Sequence, residues 1–335
     1  MTIREVAKLA GVSLQTVSNV INGRAGQMAD ETRERVLRSI RELGYQPNLH
    51  ARGLRSQRTY TIGFLTVDPS ARFLSEPFHM ANLSGMADVL REKDYGLLVQ
   101  ALHPEKPAEV VQQLYKQRRF DGAVVHLSGE RAARQKTIER MVKEDCPFVL
   151  IEEPALGPRC VSVRADNRQG AERAVAHLKE RGHQRIAFLT TKLAWPAVEE
   201  RQAGYEAGLK AHRLGSPTIV RIESEQVETA RDALAEALRS DPGLTAVLCS
   251  NDVLAVGAVQ AAKLVGRKVP DQLAVIGFDD FEFTRYVDPS LTTVALPAYE
   301  MGRRAANLLL GYLQDGTFSE TEVVFPTTLV LRGSA

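Results

Sequence analysis

Two hydrophobic rhythms divide the chain. Up to residue 46, apolar side chains recur every three or four positions, the spacing of amphipathic helices. From Thr61 onward they come in short runs, IGFLTV, GLLVQA, GAVVHL and PFVLIE, then VSVRA, RIAFLT, TIVRI, AVLCS and LAVIGF. Longer stretches of helical spacing lie between the runs, such as Asn82 to Lys93 and Pro107 to Gln117. Short apolar strands alternating with helices predict parallel sheets covered on both faces, and two such series predict two lobes.

The first rhythm resolves into three short helices. Thr2, with Glu5 three residues on, has the form of a capping box, and Val6, Leu9 and Ala10 form the inward face behind it. Gly11 can take the positive φ of a sharp turn. Ser13 can cap a second helix, Leu14 to Ile21, facing inward through Val17, Val20 and Ile21, and Asn22-Gly23 stops it. A third helix is predicted over Asp30 to Leu43, with Val36, Leu37, Ile40 and Leu43 inward, ended by Gly44 and Pro47. Two helices joined by a glycine turn form the helix-turn-helix pattern, whose second helix reads the major groove. On it, Leu14, Gln15 and Asn19 are placed to reach base edges. Glutamine and asparagine pair bidentately with adenine, while leucine makes only apolar contact. Ser13, Thr16, Ser18 and Asn22 suit phosphates or caps.

The charge distribution agrees with a polyanion partner for the head. Residues 1–58 hold 10 Lys and Arg against 5 Asp and Glu, and the remainder 33 against 36. The net +2 of the whole chain thus hides a basic head on a mildly acidic body. No apolar run reaches the ~20 residues of a membrane span, and the chain opens on a helix cap, so a cytoplasmic protein is expected. Cys146, Cys160 and Cys249 lie far apart in no metal or redox spacing and read as packing residues. There is no GxxxxGK[ST] loop, GxSxG elbow or HExxH pair, and the seven histidines are scattered, so no enzyme chemistry, metal or cofactor is expected.

The segments TIREVAKLAGVSLQTVSNVING and ETRERVLRSIRELGYQPN resemble the lactose-repressor (LacI/GalR) family of bacterial transcription regulators. DNRQGAERAVAHLKERGHQRIAFL, CSNDVLAVGAVQA and VIGFDDFEFTRYVDPSLTTV resemble it too, in the same order. The resemblance implies an all-α helix-turn-helix head over residues 1–46, a hinge helix over 47–58, and a two-lobed α/β body over 59–335. The body is of periplasmic-binding-protein type I, with one lobe about 59–160 and 292–322 and the other about 161–291 and 323–335. DNA contacts are expected at Thr2, Ser13, Leu14, Gln15, Thr16, Ser18, Asn19 and Asn22 in the head. In the hinge they are expected at Asn48, Ala51, Arg52, Leu54 and Arg55, with Leu54 as a minor-groove wedge. Gly53 beside Leu54 departs from a good helix former and biases the hinge against helix. Leu296-Pro297 stands where many relatives have Gln-Pro.

Ligands of open parallel sheets bind beyond the carboxyl ends of the strands. Glu152, Asp166, Asn251, Asp252, Asp279 and Asp280 follow strands here, Trp195 lies in the loop after RIAFLT, and Arg201 opens the next helix. Carboxylates, an amide, a guanidinium and an aromatic face suit the hydroxyls and ring of a sugar. The family resemblance places effector contacts at Arg201, Asn251, Asp279, Glu152 and Asp166, with Phe78 as an aromatic over the ligand; Asp252 and Asp280 also suit helix capping. The function that follows is a ligand-responsive repressor with a carbohydrate effector, a palindromic operator and a homodimeric assembly. The ending at Ala335 without a heptad tail speaks against a coiled-coil tetramer. A sugar-binding transport component with a helical extension, or a purine-responsive regulator, is the alternative.

Overall fold

The computed structural model describes residues 1–21, 28–45, 58–68, 73–144 and 146–335. They form two units, Met1–Thr59 and Tyr60–Ala335. The hinge positions Asn48, Ala51, Arg52, Leu54 and Arg55, and Asn22 of the head, lie outside the described residues.

In the first unit three helices, α1 (Ile3–Ala10), α2 (Leu14–Ile21) and α3 (Asp30–Glu42), enclose a small core of Val6, Ala7, Ala10, Val17, Val20 and Val36. Glu5 accepts the Thr2 N–H at 2.7 Å, closing the amino end of α1. Gly11 ends it at φ 63°, and the next N–H, of Val12, returns to the Ala7 carbonyl at 3.0 Å. Arg35 of α3 donates through Nε to the Ala10 carbonyl at 2.8 Å, tying the third helix to the turn. One expected core position is overturned. Leu9 is 47% exposed, and Ala7 takes its place against the neighbouring helices. At this close crossing the small side chain faces the partner helices and the larger one stays outside.

The second unit holds two six-stranded sheets. The first has the order β11-β5-β4-β3-β1-β2, all parallel: β1 (Thr61–Val67), β2 (Gly96–Ala101), β3 (Gly122–Leu127), β4 (Phe148–Ile151), β5 (Cys160–Ala165) and β11 (Glu322–Phe325). The second has the order β12-β10-β9-β8-β6-β7: β6 (Ile186–Thr191), β7 (Thr218–Ile222), β8 (Ala246–Cys249), β9 (Ala274–Asp279), β10 (Thr292–Ala295) and β12 (Thr328–Val330). Among the described residues only β12 runs antiparallel, against β10. The strands β3 and β6 are buried at every residue, as expected where helices cover both faces.

Alternate residues of each strand serve opposite layers. Helices α4 (Pro77–Glu92) and α11 (Ala298–Asp315) cover one face of the first sheet over Ile62, Phe64, Val124 and Val149. Helices α5 (Pro107–Lys116) and α6 (Arg131–Val142) cover the other over Leu65, Val125 and Leu150. On the second sheet, α7 (Asn167–Glu180) and α8 (Pro196–Ala211) lie over Phe188, Leu248 and Ile276. Helices α9 (Val227–Ser240) and α10 (Asp252–Leu264) lie over Leu189, Val247 and Val275.

The chain passes between the lobes three times, after β5, β10 and β11, and here two expectations are corrected. VSVRA lies in the first sheet as β5, so the first lobe runs to Ala165 rather than about residue 160. Thr292–Ala295 lies in the second sheet as β10, so the return to the first lobe comes at Leu296-Pro297 rather than at residue 292. The last segment also divides, β11 pairing with β5 and β12 with β10. A buried apolar strand is interchangeable between two parallel sheets until its neighbours are known. The first and third passages are bound together: Asp166 N–H donates to the Phe325 carbonyl at 2.9 Å, and Thr327 Oγ1 donates to the Asp166 carbonyl at 3.1 Å.

Candidate functional site

On the head, Ser13 caps α2 by accepting the Thr16 N–H at 3.0 Å. The first turn of α2 then presents Leu14, 42% exposed, and Gln15 to solvent. Gln15 Nε2 donates to Asn19 Oδ1 at 3.1 Å, one turn apart, so the two amides form one polar surface. Ser18 differs from the expectation of a phosphate contact. It is buried, because it falls on the same side of α2 as Val17.

On the body, strands of both sheets end at a cleft between the lobes. Its first-lobe wall is Glu76, Phe78, His79 and His126, and its second-lobe wall includes Trp195, Arg201, Glu225, Ser250, Asn251 and Asp279. Phe78 and His79 reach it because α4 starts at Pro77, earlier than the predicted Asn82. The Glu76 carboxylate caps this helix by accepting the Phe78 and His79 N–H groups at 3.1 and 2.8 Å.

Arg201, 4% exposed, is the centre of the polar wall. Its Nη2 donates to Asp279 Oδ1 at 2.8 Å, Nη1 to the Ser250 carbonyl at 2.5 Å, and Nε to Asn167 Oδ1 at 2.8 Å. The guanidinium carbon stands 4.0 Å over the Phe278 ring. Asn167 Nδ2 in turn donates to Glu152 Oε2 at 2.9 Å. A continuous buried chain, Glu152–Asn167–Arg201–Asp279, thus joins the end of β4 in one lobe to the end of β9 in the other. Both carboxylates sit on strained backbone, Glu152 at φ 61° and Asp279 at φ 111°, with Asp280 following at φ 59°. Strain of ~1–3 kcal/mol per residue persists only where surroundings over-determine it, and it clusters at functional positions. Burial pushes the Asp279 carboxyl well above the usual range, against the pull of Arg201. Burial raises Glu152 to about 7, Arg201 again opposing.

The aromatic wall is a packed cluster. Trp195 stacks on His126 at 4.6 Å between centroids and meets His79 edge-on at 5.8 Å. His79 Nε2 and His126 Nδ1 lie 2.9 Å apart. Burial above all, with the positive charge of Arg134 nearby, holds His126 well below its ordinary value, so it is neutral. Beside this wall the lobes meet directly. Arg134 of α6, 3% exposed, pairs with Glu153 in its own lobe and bidentately with Glu199 of α8, at 3.1 and 2.9 Å.

Of the residues singled out in the sequence, Phe78, Trp195, Arg201, Asn251 and Asp279 converge on the cleft. Asn251 also caps α10, accepting the Leu254 N–H at 2.9 Å. Glu152 lies beneath the wall, reaching Arg201 only through Asn167. Asp166 does not line the cleft. It accepts the Gln169 N–H at 3.2 Å and caps α7, because the chain leaves the first sheet there. Asp252 and Asp280 are structural: Asp252 accepts from Thr293 Oγ1 at 2.6 Å, and Asp280 pairs with Arg332 at 2.5 Å. Sequence reasoning missed Glu76, His126, Asn167, Glu225 and Ser250. His126 near the end of GAVVHL and Glu225 after TIVRI obey the strand-end rule and were findable by it.

The descriptions of known proteins coincide with this arrangement. Residues 2–48 match the family model "Bacterial regulatory proteins, lacI family", and residues 175–335 match "Periplasmic binding protein-like domain". The HTH-type transcriptional regulator GalR of Escherichia coli (strain K12) is 33% identical over 342 residues, covering 99% of this chain and 95% of its own. The chain belongs to the LacI family of bacterial regulatory proteins. Among solved structures, a complex of the transcriptional regulator CelR with cellobiose aligns with TM-score 0.72 at 28% identity, covering all of both chains. The Lac repressor bound to ONPG in its repressed state aligns with TM-score 0.85 at 25% identity, over 100% of this chain and 99% of that one. The protein is therefore an HTH-type transcriptional regulator with a periplasmic-binding-protein-like body.

Proposed function

We propose that this LacI-family regulator is a repressor that binds a palindromic operator as a homodimer and responds to a small carbohydrate in the interlobe cleft. One observation carries the effector half: a buried hydrogen-bonded chain anchored in both lobes, Glu152–Asn167–Arg201–Asp279, backs a cleft walled by Trp195 and Phe78. Amide, guanidinium and carboxylates beside an aromatic ring suit a hydroxyl-rich ligand. The CelR–cellobiose complex supports the same reading by likeness. The DNA half rests on the exposed Leu14 and Gln15 of α2 and on the half-buried Asn19 one turn on. One head reads only a few base pairs, and two-fold pairing doubles the site. Hinge contacts at Asn48, Ala51, Arg52, Leu54 and Arg55 belong to the same proposal, as does action in the cytoplasm, where operator DNA is found.

The test combines two titrations. A gel shift with the DNA upstream of the gene should give a discrete complex whose affinity falls steeply with salt. Isothermal titration against sugars and purines should give a carbohydrate ligand. A purine that binds while every sugar fails would replace the effector half of the proposal. Failure to retard any upstream DNA, against a positive control, would remove the DNA half.

A further inference from the structure

Beside the cleft the lobes are joined by two stretches of chain. The first lobe supplies His126 and the loop after β3 up to Arg134. The second supplies Ala194 to Glu199, the end of the loop after β6 and the first turn of α8. Three contacts bind them. The Trp195 ring stacks on His126 at 4.6 Å between centroids. The Gly129 N–H donates to the Ala194 carbonyl at 2.8 Å. Arg134 donates to both carboxylate oxygens of Glu199, at 3.1 and 2.9 Å. Glu199 stands on the turn that Trp195 opens, its N–H returning to the Trp195 carbonyl at 3.0 Å. The ion pair therefore holds the indole against the imidazole. Trp195 and His126 both line the cleft, so its aromatic wall is complete only while the lobes are together.

The two halves of the ion pair differ. Arg134 is buried, and its own lobe binds it as well: Nε donates to Glu153 and Nη1 to the Gly129 carbonyl. Those bonds aim the guanidinium at the second lobe, and they persist if the lobes part. A buried charge stripped of its partner is costly, and Glu153 spares Arg134 that cost. The Glu199 side chain is 35% exposed and passes into water. Opening thus forfeits one bidentate pair and strands no charge. A fixed half and a releasable half make a latch rather than a permanent tie. Neither Arg134 nor Glu199 lines the cleft, so the latch needs no ligand to form. A ligand gripped by both walls binds more tightly in proportion to the closed fraction, and this holds for a sugar or any other ligand.

We infer that Arg134 and Glu199 are positioning residues whose pairing holds the lobes closed in the absence of ligand, and so keeps Trp195 on His126 in the cleft wall.

The test is hydrogen exchange on the full chain without ligand. The Gly129 amide exchanges when its bond across the lobes breaks, so its rate follows the opening equilibrium. Glu199→Gln keeps the side-chain shape and removes the charge. Glu199→Lys sets a like charge against Arg134. Position 199 is half-exposed, so both variants should fold, which thermal melting checks. Gly129 should exchange about fivefold or more faster in Glu199→Gln, and faster again in Glu199→Lys. The amides of β3, inside the first sheet between β4 and β1, should keep their wild-type rates. Emission from Trp195, the one tryptophan of the chain, should shift to the red in the same order. Wild-type exchange at Gly129 in both variants overturns the inference. Faster exchange at Gly129 and throughout β3 together, or loss of the fold in Glu199→Gln, also overturns it, because the pair would then support the fold of a lobe rather than the closure.

Discussion

Gln15 and Asn19 show how a single side chain is tuned by its neighbour. Their amides are hydrogen-bonded to one another at 3.1 Å, which limits the rotamers each samples before meeting DNA. Gln15→Ala removes one bidentate donor–acceptor group and leaves Asn19 without this partner. It should relax preference at one position of each half-site by ~1–3 kcal/mol, with little change in binding to unrelated DNA. Competition gel shifts with single-base operator variants would measure this, and uniform weakening across all sequences would mark Gln15 as a phosphate-side residue instead. His126 allows a second test, through pH. Its folded pKa lies below its ordinary 6.5, so the unfolded chain takes up a proton that the fold refuses. Its contribution to stability is therefore present above pH 6.5 and lost as pH falls below it. The raised carboxyls of Glu152 and Glu225, each near 7, act oppositely, their contribution waning as pH rises from the carboxylate range through 7. The difference between wild type and His126→Asn isolates the histidine. Thermal melts from pH 8 to pH 5 should show wild type losing stability relative to the variant below about pH 6.5. A pH-independent difference would mean His126 is not held neutral.

At the scale of elements, the packing of α4 on α11 depends on two glycines. A Cβ on Gly302 would collide with the Asn82 carbonyl, and one on Gly85 with the Tyr299 carbonyl, so the helix backbones themselves are in contact. Gly311, on the same α11, has open space around its missing Cβ. The two positions should respond with opposite sign. Gly311→Ala should stabilise by ~0.5–1 kcal/mol through helix propensity alone. Gly302→Ala has the same propensity gain but must push backbones apart, and overpacking of ~1–3 kcal/mol leaves it destabilised. Urea melts of the two variants decide the matter, and a Gly302→Ala protein as stable as Gly311→Ala would show the helix pair to be loosely held. Elements were also the level at which sequence was most informative. The apolar runs GAVVHL and IAFLT became fully buried strands, as central strands covered by helices on both faces do. What the runs lacked was any mark of which sheet they join, and VSVRA went to the first lobe between β4, just before it in the chain, and β11, far along it. The site was legible where a polar residue interrupts a strand end, as at Asp279 and Asn251. It was not legible at Asn167, one residue into a helix, whose importance comes only from its partners Glu152 and Arg201.

At the scale of the whole molecule, the two lobes are joined at the cleft by Arg134–Glu199 and by the chain that runs from Glu152 to Asp279. A ligand that touches both walls gains all its contacts only at one closure of the lobes, so it shifts the population toward that closure. If operator binding favours one closure over another, the two ligands are coupled, by ~1–3 kcal/mol in systems of this kind, and the coupling is the same in both directions. Asp279 is the place to break it, because it faces the cleft and holds Arg201. Asp279→Asn keeps the shape and an acceptor for the Arg201 Nη2, so the buried guanidinium is not stranded as it would be by alanine. It replaces the carboxyl that holds Arg201 at the cleft wall by an amide. The variant should bind operator as wild type does when no effector is present, and bind effector at least tenfold more weakly. At an effector concentration that saturates wild type, its operator affinity should then stay near the effector-free value. Such a protein would be locked in repression if the sugar is an inducer, and locked out of it if the sugar is a co-repressor. Operator titrations of both proteins, with and without effector, distinguish these cases. A variant that retains the full wild-type shift in operator affinity at the same effector concentration would place the coupling contact elsewhere, with Arg201 and Glu225 next in line.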